Sequence, residues 1–263
     1  MMRTTGFMAI FAILSIVAYA APDTWVAYND SVYVDGQFIA DNVTTFAIGR
    51  TNPHPESGEL IRQSDGRGTG VTVTYSEFKT AGSLNWAKDA ATFSEGSDAA
   101  EIFSDFVDPS GNISYGDAPD WHLDLIIEGL DPDGLYTFAG SVNRNGAADY
   151  ADRVTNWTIM GAESFTYASS EDAHKVSADS VEFVTGINDV GYVAKWTDIN
   201  PGRDGEITIR TSHGVGEKNG GIADAHEYRG YAAGVFMLEF QGMQAVEADG
   251  KLVTTWSKIR SAR

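Results

Sequence analysis

Short runs of alternating apolar and polar residues recur along this chain, with turn residues between them. The clearest example is LDLIIEGLDPDGLYTF, residues 123–138, in which two alternating runs flank one turn. Alternation places successive side chains on opposite faces of a strand, so that one face is buried and the other solvated. A second stretch of this kind, YVAKWTDINPGRDGEITIR, covers residues 192–210. Both stretches predict a strand, a tight turn and a second strand.

The other runs that favour strands are equally short, and helical periodicity is scarce. We predict strands over residues 25–28, 31–38, 43–48, 71–75, 112–115, 123–128, 135–142, 155–160, 191–197, 206–211 and 234–240. One short helix is predicted over residues 98–106, with Asp98 as its N-cap and Glu101 in its first turn. Short strands with turn signals at intervals of roughly 8–12 residues are typical of a sandwich. The predicted fold is therefore an all-β, antiparallel, jelly-roll-like β-sandwich.

The two turns at residues 131–134 (DPDG) and 200–205 (NPGRDG) have the chemistry of structural corners. Proline presets φ at the first corner, and the preceding Asp or Asn side chain can accept a backbone N–H two residues further on. Glycine supplies the positive φ that such turns need. We therefore assign these acidic residues to the scaffold and not to a ligand site.

The two ends of the chain differ from its middle. Residues 1–20 combine Arg3, an apolar run and the small-residue sequence Ala18-Tyr19-Ala20, which together predict a cleaved signal peptide. The apolar run is shorter than the roughly 20 residues that span a bilayer, so we expect a secreted mature chain without a transmembrane segment. Residues 21–243 are predicted to form the β-sandwich domain, and residues 244–263 a basic C-terminal tail.

Composition narrows the possible partners. The 263 residues include no cysteine and carry a formal net charge of −19. So acidic a chain repels phosphate groups, so we expect no nucleic acid among its partners. Without thiolates, a metal would need oxygen or histidine ligands, and a structural calcium ion is the one cofactor that the acidic composition leaves open.

The familiar catalytic motifs are incomplete in this sequence. His226-Glu227 begins the H-E-x-x-H pattern of zinc proteases, but Gly230 stands where the second histidine would be. The glycine-rich run GVGEKNGG precedes no apolar helix, so it does not indicate a dinucleotide site. Carboxylates are so frequent that pairs of them say nothing about glycosidase chemistry.

Two loops carry more polar and aromatic side chains than their turns require. The predicted ligand-binding residues are Arg144, Asp149, Tyr150, Asp152 and Arg153 in the first loop, and His226, Glu227, Tyr228 and Arg229 in the second. Sugar recognition uses this mixture, because aromatic faces cover C–H surfaces while planar polar groups bind neighbouring hydroxyls. The alternative is that the charged members form salt bridges that tie the loops to the sandwich.

Four stretches carry a resemblance to a known kind of module: GLDPDGLYTFAG, NRNGAADYADRVTNWTI, GYVAKWTDINPGRDGEITI and EYRGYAAGVFMLEF. Together they resemble secreted bacterial β-sandwich modules, similar to jelly-roll carbohydrate-binding and fibronectin-type-III-like domains. The resemblance implies a fold and supplies no catalytic residues. The predicted export of one acidic domain, the polar and aromatic loops and the incomplete catalytic motifs favour a secreted, non-catalytic module that binds carbohydrate, such as a polysaccharide, or another extracellular or cell-surface component. The alternatives are a glycoside hydrolase or polysaccharide lyase on a jelly-roll scaffold, and a structural surface or adhesion protein.

Overall fold

The computed structural model of this protein describes residues 23–79, 85–87, 93–107, 112–115, 121–144, 153–214 and 230–243. The predicted signal peptide and the predicted basic tail lie outside these ranges. The strands are β1 (Trp25–Asp30), β2 (Ser57–Ile61), β3 (Gly68–Phe78), β4 (Asn85–Ala87), β5 (Asn112–Tyr115), β6 (His122–Glu128), β7 (Gly134–Ser141), β8 (Val154–Met160), β9 (Ser164–Tyr167), β10 (His174–Lys175), β11 (Ser180–Val184), β12 (Ala194–Asn200), β13 (Glu206–His213), β14 (Gly230–Ala233) and β15 (Val235–Met243). One helix, α1 (Asp98–Phe103), interrupts them. Within the described ranges no helix is long and apolar enough to cross a bilayer.

Two antiparallel sheets contain most of these strands. The smaller sheet has the order β1-β15-β7-β12-β9, and the larger sheet has the order β10-β11-β8-β13-β6-β3-β2. Eight of these strands form the central part of the two sheets, namely β1, β6, β7, β8, β11, β12, β13 and β15. Numbered one to eight along the chain, they have the orders 1-8-3-6 and 2-7-4-5. That arrangement is the double Greek key of a jelly roll. The predicted fold class is confirmed.

The main hydrophobic core lies between the two sheets. Inward-facing residues of β6, such as Leu125 and Ile127, meet Phe138 of β7 and Trp196 of β12 in one cluster. The ring centroids of Phe138 and Trp196 are 6.5 Å apart, and those of Phe138 and Phe236 are 6.0 Å apart. Each such side chain contributes about 1.5–3 kcal/mol by leaving water, so burial of these rows holds the sheets together.

Helix α1 covers the outer face of the smaller sheet. Phe103 of the helix packs with Tyr28 and Met237 of the strands in a second apolar cluster. The helix begins at Asp98 as predicted, but its N-cap is Ser97, whose hydroxyl accepts the backbone N–H of Ala100. It ends at Phe103, three residues earlier than predicted. The helix therefore buries the outer face of the smaller sheet over β1, β7 and β15. The described residues contain no second helix that could do the same for the larger sheet.

The two predicted corner turns both form, but their glycines have different roles. The Asp131 carboxylate accepts the backbone N–H two residues on at 3.0 Å, as predicted. Gly134 does not have the predicted positive φ; a Cβ atom there would lie 2.8 Å from the Phe240 ring, so close packing excludes a side chain. In the second turn, Gly202 and Gly205 have φ of 77° and 64°, as predicted.

Two predicted strands near the N-terminus are wrong, residues 31–38 and 43–48. The first closes a turn in which the N–H of Gln37 donates to the carbonyl of Val34 at 3.0 Å. In the second, the buried amide of Asn29 binds both the N–H and the carbonyl of Phe46, at 2.8 and 3.0 Å. A side chain there takes the place of a neighbouring strand, and sequence alternation does not reveal such a substitution.

Candidate functional site

The cavity between the two sheets is too small to hold a ligand. A void of about 10 Å³ lies among Tyr75, Leu125, Phe138 and Trp157. One water molecule needs about 10–15 Å³ measured in this way. Side-chain packing therefore fills this part of the interior, and a candidate site has to be sought on the surface.

Two of the nine predicted loop residues, Arg144 and Arg153, lie in the described ranges. Both flank the same residue: the N–H of Arg144 donates to the Thr185 carbonyl at 3.0 Å, and the Thr185 N–H donates to the Arg153 carbonyl at 2.9 Å. The Arg153 guanidinium lies over the ring of Tyr231, 5.1 Å from its centroid, and donates to the Tyr231 hydroxyl. Since Tyr231 follows the second predicted loop, the described ends of both loops meet at one end of the sandwich.

The remaining predicted residues lie outside the described ranges, namely Asp149, Tyr150, Asp152, His226, Glu227, Tyr228 and Arg229. Their part in a site stays a prediction. The contact that is described favours the structural alternative for Arg153, because Tyr231 is only 1% exposed and the pair is packed into the fold.

The outer face of the larger sheet presents two rows of side chains that cross neighbouring strands. One row, from β3 to β11, is Ser76, Asp124, Arg210, Thr158 and Ser180; the next is Phe78, His122, Ser212, Asn156 and Glu182. Residues directly opposite each other on antiparallel strands lie within side-chain contact distance. We call these ten residues the outer rows.

An Arg–Asp pair forms the middle of the outer rows. Nε and Nη2 of Arg210 donate to the two carboxylate oxygens of Asp124, each at 2.7 Å. The bond to Asp124 raises the pKa of Arg210. The two hydrogen bonds fix the planes of the guanidinium and the carboxylate relative to each other, as bidentate pairing requires. Among the described residues Nη1 of Arg210 makes no hydrogen bond, so this nitrogen can donate to a ligand.

His122 lies beside that pair without forming an ion pair with it. Its Nε2 is 3.7 Å from Oδ2 of Asp124, beyond hydrogen-bonding distance. Burial is the main cause that lowers the pKa of His122, and Arg210 lowers it further, against the opposing effect of Asp124. The imidazole is therefore neutral at pH 7 and offers both a donor and an acceptor.

Beyond Arg210, hydrogen bonds between side chains orient the next part of the outer rows. The Ser180 hydroxyl donates to Oδ1 of Asn156 at 2.7 Å, and Nδ2 of Asn156 donates to the Thr158 hydroxyl at 3.3 Å. The hydroxyls of Thr158 and Ser180 are 3.1 Å apart. This closed triangle holds the Asn156 amide in one plane, so that the polar surface is oriented from β6 to β11.

An exposed aromatic ring stands at the β3 end of the outer rows. Phe78 is 50% exposed. Its ring stacks on the His122 imidazole, with centroids 5.0 Å apart and planes 14° apart. The stack orients the phenyl ring, which therefore forms an apolar platform next to oriented polar groups.

An acidic cleft of about 280 Å³ lies near the start of α1, lined by Asp98, Glu171 and Asp172 among others. Its polar groups already support the fold: the Ser170 hydroxyl donates to Asp98 and accepts the N–H of Val193 at 2.9 Å. Across the described ranges, no three His, Cys, Asp or Glu side chains are grouped as metal ligands. The structural calcium ion stays a prediction.

Fold and outer rows together define an all-β jelly-roll sandwich with an aromatic platform beside a polar sheet face. In comparisons with family models, with curated proteins and with solved structures, this chain matches none of them. The resemblance to secreted carbohydrate-binding modules therefore stays a prediction. Sequence reasoning missed the outer rows, although the alternation of His122 and Asp124 with leucines was visible.

Proposed function

We propose that this protein is a secreted, non-catalytic module that binds carbohydrate, and that the outer rows are its binding surface. The observation that carries the proposal is the exposed Phe78 ring beside the fixed planes of Asp124, Arg210 and Asn156. A pyranose ring offers an apolar C–H face to an aromatic ring, and its hydroxyls pair with planar donors and acceptors. The predicted signal peptide supports an extracellular ligand.

Other classes of partner fit the outer rows less well. A stable protein interface has an apolar, aromatic-rich centre. Among the described large hydrophobic side chains that are exposed, only Phe78 belongs to the outer rows. Nucleic acid would bring phosphates to a chain of net charge −19. Carbohydrate is the class that needs one aromatic platform and many uncharged hydrogen-bonding groups.

The carboxylates of the outer rows support binding over glycoside hydrolysis. Asp124 is held by Arg210, and Glu182 is 1% exposed. Three strand spacings separate β6 from β11, about 14 Å at ~4.8 Å each. Hydrolysis uses two carboxyl groups about 5–9.5 Å apart on either side of the scissile bond. The two carboxylates of the outer rows do not meet that requirement.

Replacing Arg210 by methionine tests the proposed surface. The variant loses the Nη1 donor and leaves Asp124 unpaired, and hydrogen bonds to charged groups contribute about 1.5–3 kcal/mol. We expect affinity for a neutral polysaccharide to fall about tenfold or more. Affinity electrophoresis in gels containing xylan, mannan, galactan or mixed-linkage β-glucan measures the change.

Arg67→Met is the matched control. Arg67 also pairs with an aspartate, Asp65, but in the turn between β2 and β3. This variant should migrate like the unmodified protein in every gel. The proposal fails if the unmodified protein binds no polysaccharide of the panel, with or without Ca²⁺. Equal loss in both variants would place binding elsewhere.

A further inference from the structure

The exposed part of the outer rows has no net charge at neutral pH. The charges of Asp124 and Arg210 cancel within one bidentate pair. His122 is neutral, and Glu182 is buried. The other members are hydroxyl, amide or phenyl groups. A ligand that lies on this surface therefore meets hydrogen-bonding groups without a spare cation or anion.

The outer rows are also longer than one sugar. Their accessible part crosses β3, β6, β13 and β8, which are three successive strand spacings in the larger sheet, because Ser180 and Glu182 on β11 are buried. At ~4.8 Å each these spacings add up to about 14 Å. Oriented groups occur throughout, from the ring of Phe78 at one end to the bonded triangle at Asn156, Thr158 and Ser180 at the other.

We infer that the outer rows bind several consecutive units of an uncharged polysaccharide, laid across the strands from Phe78 towards Thr158. This inference rests on the proposed function and specifies its ligand class. A uronic acid polymer would be repelled by the net charge of −19, and the one exposed cation of the rows, Arg210, is already paired. A polycation would be attracted to the whole acidic surface, and salt would screen that attraction.

Oligosaccharide length is the first test. Isothermal titration with manno-, xylo-, cello- and galacto-oligosaccharides, from disaccharide to hexasaccharide, should give an affinity that rises at least tenfold with length and then levels off. Low and high salt should give the same values, and alginate and polygalacturonate should not bind. The inference is overturned if a monosaccharide binds as tightly as the longer chains, if salt abolishes binding, or if a uronate polymer is preferred.

A variant at the end of the outer rows away from Phe78 tests whether a long oligosaccharide reaches that end. Thr158→Ala should weaken binding of the hexasaccharide several-fold and leave the disaccharide unchanged, since the disaccharide occupies the Phe78 end. Thr197→Ala, on β12 of the smaller sheet, is the control and should change neither. An equal loss for both lengths would contradict an extended ligand. If no carbohydrate binds at all, the proposed function itself fails; a short or charged ligand overturns the inference alone.

Discussion

Replacing Phe78 by alanine should lower the affinity for a neutral polysaccharide by roughly thirtyfold or more. Aromatic anchors of a binding surface commonly cost about 2 kcal/mol or more when truncated, and about 1.4 kcal/mol corresponds to a factor of ten. The ring is 50% exposed and is oriented by stacking on His122, so alanine removes the platform itself. Isothermal titration with the neutral polysaccharide that binds in the gel panel measures the loss.

Phe38→Ala is the control for this prediction. Phe38 is 61% exposed and lies between β1 and β2, outside the larger sheet. The substitution removes a similar apolar area from the surface but lies away from the outer rows, so it should leave both affinity and stability unchanged. A comparable loss of affinity in both variants would indicate non-specific adsorption by exposed aromatic rings and would count against Phe78 as the anchor.

Replacing Phe138 by alanine should destabilise the fold by about 3–5 kcal/mol, which is the usual cost of deleting a buried phenyl ring. Phe138 is fully buried between the sheets and packs against Trp196 and Phe236. The void already present beside it holds only about 10 Å³, so the lost ring leaves a new cavity. Urea unfolding followed by tryptophan fluorescence measures the change.

The same exposed residue serves as the reference for stability. Surface substitutions away from special features change the free energy of unfolding by no more than about 0.5 kcal/mol. Phe38→Ala should therefore unfold at the same urea concentration as the unmodified protein. A loss below about 1 kcal/mol for Phe138→Ala would contradict a core that depends on contact between the two sheets.

Local alternation was sufficient to predict the central strands. Strands β6 and β7 match their predictions to within two residues, because each buries one face and turns at 131–134. The edge strands β2, β9 and β10 were missed, and so were the short strands β4 and β14 and the inner strand β11. Edge strands are short and half solvated, so they carry weak apolar patterns.

The order of the strands could not be predicted from the sequence. β6 lies between β3 and β13 in the larger sheet, and the side-chain bond between Asp124 and Arg210 joins residues 86 positions apart. No local sequence pattern reveals a contact between residues so far apart in the chain. The family resemblance suggested a jelly roll, but only the structure provides the register that brings these two side chains together.

The candidate site shows the same limit. Loops rich in Arg, Asp and Tyr stand out in a sequence, and two loops were predicted on that basis. His122 and Asp124 did not stand out, because polar residues that alternate with leucines are the expected solvated face of a strand. What distinguishes them is their cross-strand neighbours, Phe78 and Arg210, which become visible only once the strands are paired.

The most direct test of binding at the outer rows is an NMR titration of the isotope-labelled protein with the neutral oligosaccharide that binds most tightly. We predict that the largest shift changes fall on the outer rows, in particular on the His122 ring, the Arg210 Nε–H and the Asn156 side-chain amide. Changes confined to the smaller sheet, or to the loop ends at Arg144 and Arg153, would contradict binding at the outer rows.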